Sequence, residues 1–200
     1  MFIEMKEAVL KLLEFSWPML VISIIVAVTL RISYLYLNNK NFVFYKEMFN
    51  LFFLIYILCL FHAVTFQDVS FGGINYIPFK EILRYDIGSG LFYKNILGNV
   101  LLFLPYGFFI GCYLKPDKMI FPFLLSLILS LSIETTQLVI GRVFDIDDII
   151  LNVLGGLLGF LLYRLLDKVK EKIPKVLKKD IVLNIISCLL VGGLIWFLIP

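Results

Sequence analysis

The sequence predicts an all-α fold, a polytopic integral membrane helical bundle of about six transmembrane helices, and three observations carry that reading. Of the 200 residues, 61% are apolar and 16% charged, and the mean hydropathy is +0.97. A soluble domain is nearer half apolar and a quarter charged, and a chain of this size has too much surface to hide the excess in a core. The apolar residues also fall into separated runs, and Lys and Arg collect between them. Such a chain puts its apolar surface into a bilayer, which excludes a soluble globular enzyme.

A spanning helix needs about 20 mostly apolar residues. Phe2, Met5, Val9 and Leu12 recur at helical spacing among Glu4, Lys6, Glu7 and Lys11. Residues 2–14 therefore read as a helix along the membrane surface or as the first turns of the first span. Without a positive n-region, this start does not read as a cleaved signal peptide. The expected spans are 15–37, 49–66, 97–114, 119–140, 149–166 and 181–199. Arg31, near one end of the first, is expected to snorkel, and His62 reads as a hydrogen-bonded residue between helices. Residues 67–95, with Pro78, several Phe and Tyr, Lys80, Glu81, Arg84 and Asp86, suit an interfacial re-entrant or amphipathic segment. The chain thus divides into 1–66 (a surface helix and two spans), 67–166 (a polar-containing core) and 167–200 (a basic loop and a last anchoring span). Cys59, Cys112 and Cys188 each lie in an apolar run, and this odd count without metal spacing argues for packing residues.

The connection 164–180 carries Arg164, Lys168, Lys170, Lys172, Lys175, Lys178 and Lys179, and cytoplasmic loops collect such residues. Placing it inside puts twelve Lys and Arg in the cytoplasm and six outside, of 18 in the chain. Both termini are then expected outside the cell membrane. A net charge of +3 gives no support to nucleic-acid binding.

Polar residues kept within spans are costly and tend to be functional or paired. Glu134 and Gln137 share one face near the end of the fourth span, and Arg142 follows in the short turn. Asp145, Asp148 and Asn152 share a face that Gly155 and Gly159 continue, and Asn95 and Asn99 share a face of the third span above Pro105, Gly107 and Gly111. Alternating spans bring all of these to one side. Glu134, Gln137, Arg142, Asp145, Asp148, Asn152, Asn95 and Asn99 are therefore expected to line one outward-facing polar pocket. Such a pocket can hold a hard cation, hydrogen-bond sugar hydroxyls or an amine, or relay a proton. The plainer alternative pairs Arg142 with Asp145 or Glu134 and uses the amides to cap helix ends.

At these residues the sequence resembles the VanZ-like family of bacterial membrane proteins, named for an accessory protein of teicoplanin resistance. The resemblance runs through Asn75-Tyr-Ile-Pro-Phe79, Asn95-Ile-Leu-Gly-Asn-Val-Leu-Leu-Phe-Leu-Pro-Tyr-Gly107, Ser132-Ile-Glu134-Thr-Thr-Gln137, Arg142-Val-Phe-Asp145-Ile-Asp-Asp148 and Asn152-Val-Leu-Gly-Gly156. It covers residues 75–166 and marks Asn75, Pro78 and Phe79 as an interfacial motif. It implies a multi-pass protein of the bacterial envelope, with no cofactor or metal assigned. Its partners are expected to be membrane lipids, with a lipid-linked cell-wall precursor or a glycopeptide as ligand. The favoured expectation is a non-catalytic binder contributing to glycopeptide resistance. An intramembrane hydrolase or transferase acting on lipid head groups is the alternative, weakened because no nucleophile–base pair is evident. A small proton-coupled transporter is another, weakened because no repeated half is visible.

Overall fold

The computed structural model describes residues 2–65, 73–86, 88–172, 174 and 179–198, with backbone alone for 2–16, 94, 171 and 194–198. The described residues are almost entirely helical. Five helices are long and apolar enough to cross a membrane. The chain forms two compact units, residues 64–172 and the flanking segments 1–63 and 173–200.

In the flanking unit, α1 (Phe2–Leu37) is continuous through Pro18, and its apolar stretch Trp17–Leu37 is long enough to span. Asn39 ends it at φ 49°, with Lys40 N–H donating to Leu35 O at 3.0 Å and Asn39 N–H to Tyr36 O at 3.3 Å. This is the paired closure that follows a left-handed residue at a helix C-terminus. The second helix, α2 (Phe44–Thr65), is tied back to α1 by Arg31, whose Nε and Nη2 donate to the two oxygens of Glu47 at 2.8 and 3.0 Å.

The other unit holds α3 (Gly90–Leu114), α4 (Ile120–Val139) and α5 (Ile146–Lys172). A wide turn at Tyr93–Leu97 interrupts α3, whose start is capped by Ser89 Oγ accepting the Phe92 N–H at 3.1 Å. The packing is that of a membrane protein, small and polar inward and large apolar outward. On α4 the buried face is Pro122, Ser126, Ser130, Ile133, Glu134 and Gln137, while Phe121, Leu124, Ile128 and Leu131 point out of the unit. Between α3 and α5 the backbones nearly touch. A Cβ on Gly107 would overlap the Gly156 carbonyl, one on Gly155 the Val100 carbonyl, and one on Gly159 the Leu104 carbonyl. Phe103 and Phe160, both fully buried, fill the space around this contact.

Two short strands close one end of the unit. Residues Ile74–Asn75 (β1) and Phe144–Asp145 (β2) pair in parallel, Ile74 with Phe144 and Asn75 with Asp145. From there the chain makes a 3-10 turn at Ile82–Arg84 and enters α3. Expected as an interfacial re-entrant or amphipathic segment, 67–95 is thus a strand, turns and the start of a helix, with residues 66–72 and 87 outside the described part. Tyr76, Ile77, Phe79 and Leu83 are exposed along it.

The sixth expected span, 181–199, is α6 (Asp180–Leu198) in the flanking unit. Its stretch Asp180–Gly193 is a shorter apolar helix than the other five. It docks on α2: Asn184 Oδ1 accepts the Tyr45 N–H at 3.0 Å and Asp180 Oδ1 accepts the Tyr45 hydroxyl at 3.2 Å, which occupies one of the amides a helix start leaves open. Arg164, Lys168, Lys170 and Lys172, expected in a loop, lie on the extended end of α5.

Candidate functional site

The strand pair brings the 73–86 segment onto the N-terminus of α5, and Asp147 fixes it there. Asp147 is 1% exposed; its Oδ1 accepts the Phe79 N–H at 2.5 Å, and its Oδ2 accepts those of Glu81 at 2.8 Å and Ile82 at 3.2 Å. A buried carboxylate is tolerable when its lone pairs are filled in this way. Phe79, at φ 65°, occupies a left-handed conformation that is unfavourable for a bulky side chain, and the Asp147 bond to its amide helps hold it. Asn75 works alongside: its Nδ2 donates to Asp145 Oδ1 at 2.9 Å and its Oδ1 accepts the Ile77 N–H at 3.2 Å. Asp145 Oδ1 also accepts the Asp147 N–H at 2.9 Å.

Around this latch lies a polar cavity of about 90 Å³. Its polar wall is Glu81, Tyr85, Asn95, Asp145, Asp147 and Asp148. Four acidic side chains on so small a space make it an acceptor-rich site. Burial is the main cause raising the Asp145 carboxyl above its usual range, and the Asp147 and Glu81 charges add to it against the Asp147 and Asn75 hydrogen bonds. The Tyr85 phenol is likewise raised, chiefly by burial, then by the Glu81 charge, with an Asn95 hydrogen bond opposing.

The eight residues expected in one pocket are distributed over three connected places. Asn95, Asp145 and Asp148 line the cavity. Asn99 stands behind it, Nδ2 donating to Asp148 Oδ1 at 2.5 Å. Glu134, Gln137 and Arg142 form a network beneath β2. There Glu134 Oε2 accepts the Asp145 N–H at 3.0 Å, and Arg142 Nη1 donates to Val64 O at 3.0 Å. With its amide assigned from this network, Gln137 donates to Glu134 Oε1 at 3.1 Å and accepts from Arg142 Nη1 at 2.8 Å. Asn152 lies deeper, between helices, its Nδ2 donating to Ser130 Oγ at 3.0 Å. Of the interfacial motif, Asn75 is buried in the latch while Phe79 is exposed.

Asp147, Glu81 and Tyr85 were absent from that expected set. Asp147 sits between two acids that share a helical face, so spacing alone turned it away, although acids concentrate at helix N-termini. Tyr85 and Glu81 join only through the latch, which no periodicity displays. Among the described residues no three His, Cys, Asp or Glu side chains are arranged to hold a metal ion, and the cavity wall carries no Ser, Thr, Cys or His.

A multi-pass helical membrane protein, with an acidic site latched over the end of a glycine-packed helix trio, is the class these features define. The chain belongs to the VanZ/LLP1 family, whose family model matches residues 44–167, more than half its length. That match begins at α2, earlier than the resemblance legible from motifs, and leaves α1 and α6 outside. No curated protein and no solved structure matches the chain.

Proposed function

We propose that this VanZ-type protein is a non-catalytic factor of the bacterial cell envelope. It binds a lipid-linked or glycopeptide-like ligand at an outward-facing polar site and contributes to teicoplanin and glycopeptide resistance. The observation that carries the reading is the acceptor-rich cavity at Asp145 and Asp148. Its complement is a hydrogen-bond donor, an ammonium group or sugar hydroxyls. The cavity volume of about 90 Å³ lies well below the roughly 300–1,000 Å³ of sites that engulf a drug-sized ligand. It therefore takes one polar group of a larger molecule whose remainder lies in the membrane or outside.

The test compares cells expressing the wild type with cells expressing Asp148→Asn or Glu134→Gln, with membrane insertion checked in each. Both substitutions are expected to restore glycopeptide susceptibility while insertion is unchanged. Wild-type resistance from both variants would overturn the site. Mass spectrometry of lipids retained by the purified protein separates the readings further: a chemically altered lipid, instead of a retained one, would overturn the non-catalytic assignment.

A further inference from the structure

We infer that α1 and α2 form a second ligand site, a groove that seats an acyl chain of an anionic phospholipid with its phosphate at the end marked by Arg31, Lys40 and Lys46. A cavity of about 430 Å³ lies between the two helices, within the roughly 300–1,000 Å³ typical of ligand sites. Ala27, Arg31 and Leu35 form one wall and Glu47, Leu51 and Leu54 the other. From Ala27 to Leu35 the groove follows about 12 Å of helix. Both walls belong to stretches long and apolar enough to span a membrane, so the natural occupant is a hydrocarbon chain.

Charge at one end selects the head group. Arg31 and Glu47 are paired, but the Arg31 side chain is 43% exposed and that of Glu47 only 11%. The pair therefore presents its positive member. Lys40 adds a second cation: its Nζ is 2.8 Å from the Tyr34 hydroxyl and 4.9 Å from the ring centre, while the Arg31 guanidinium lies 5.4 Å from the same ring. Tyr34 thus gathers both cations, and Lys46 stands one position before Glu47. Between residues 31 and 47 the sequence has three cations and one carboxylate, and Asp180, which accepts the Tyr45 hydroxyl beside Lys46, adds a second carboxylate, leaving the end net positive. An apolar cleft ending in net positive charge complements an anionic amphiphile better than a zwitterionic one. The α1 wall lies outside residues 44–167, so the groove is not set by the family match.

The test uses the full chain in detergent, with phosphatidylglycerol or phosphatidylcholine of the same acyl chains added, and native mass spectrometry to count bound lipid. The wild type is expected to retain phosphatidylglycerol at least about fivefold better, and Lys40→Gln or Lys46→Gln each to lower that retention about fivefold. Ala27→Trp, which fills the groove, is expected to lower retention of both lipids. Equal retention of the two lipids by the wild type would overturn the proposal, as would unchanged phosphatidylglycerol retention in Ala27→Trp. So would a dimer in size-exclusion chromatography that Ala27→Trp converts to a monomer, because the occupant would then be a second copy. The lysine variants leave the groove lining intact, so they decide the question even if Ala27→Trp does not fold.

Discussion

Asp147 is the residue on which the candidate site depends most, because its two oxygens hold three backbone amides of the 79–82 segment. Asp147→Asn keeps one acceptor and turns an NH₂ toward amides that also donate. Leaving a buried donor unpaired costs about 2 kcal/mol or more. We expect hydrogen exchange at residues 79–82 to quicken by about thirtyfold while α4 keeps its protection; unchanged exchange would remove Asp147 from this role. Asp145 sets a pH dependence. Its folded pKa is raised above 3.8, so the folded state keeps a proton that the unfolded chain has released. Its contribution to stability is fully present below pH 3.8 and declines as pH rises through the raised folded value. Asp145→Asn has no such proton, and its stability relative to the wild type should improve as pH rises across that window. Thermal unfolding in micelles measures this, and a pH-independent difference would contradict it. Spacing made Asp145, Asp148, Asn95 and Asn99 legible in the sequence as neighbours. It did not make the latch legible, since the Asp147 partners are backbone amides and any sequence supplies those.

At the scale of elements, the α3–α5 contact depends on glycines that let two backbones meet. Gly107→Leu would drive a side chain into the Gly156 carbonyl, and neither backbone can yield without parting the helices. The cost should reach about 4 kcal/mol or more, read as faster protease cleavage within residues 64–172 than in the wild type. Leu101→Ala and Leu161→Ala alter side chains that are 53% and 43% exposed on the same helices and should change stability by no more than about 0.5 kcal/mol. Comparable losses from all three would place the stability in apolar burial instead. Both small-residue pairs were readable from the sequence. The ends of the helices were less so, because hydropathy reports the membrane and not the helix. The last helix of this unit continues past residue 166 to Lys172, since Lys and Arg end an apolar run but are good helix formers. Likewise α3 begins at Gly90, where Ser89 caps it, several residues before its apolar run.

For the whole molecule, two contacts test the alternation of spans from within each unit. The pairing of Ile74–Asn75 with Phe144–Asp145 joins points separated by two helices, α3 and α4, so both lie on one side of a membrane those helices cross. The bonds from Tyr45 to Asp180 and Asn184 join points separated by four, from α2 to α5, again an even number. The starts of α2 and α6 therefore share a side, and Lys40, Lys46 and Lys179 gather there. In the sequence one expected span, 49–66, separates Lys46 from residue 74, an odd number of crossings. Because Lys and Arg are retained on the cytoplasmic face, the strand pair and its acidic cavity should face outward. In a chain with Cys59, Cys112 and Cys188 replaced by Ala, Val143→Cys should react in intact cells with a membrane-impermeant thiol reagent. Lys172→Cys should react only after the cells are opened. Labelling of position 172 alone in intact cells would invert the orientation and place the cavity in the cytoplasm, beyond reach of an external glycopeptide. Labelling of both would mean that α5, the only helix between them, does not cross.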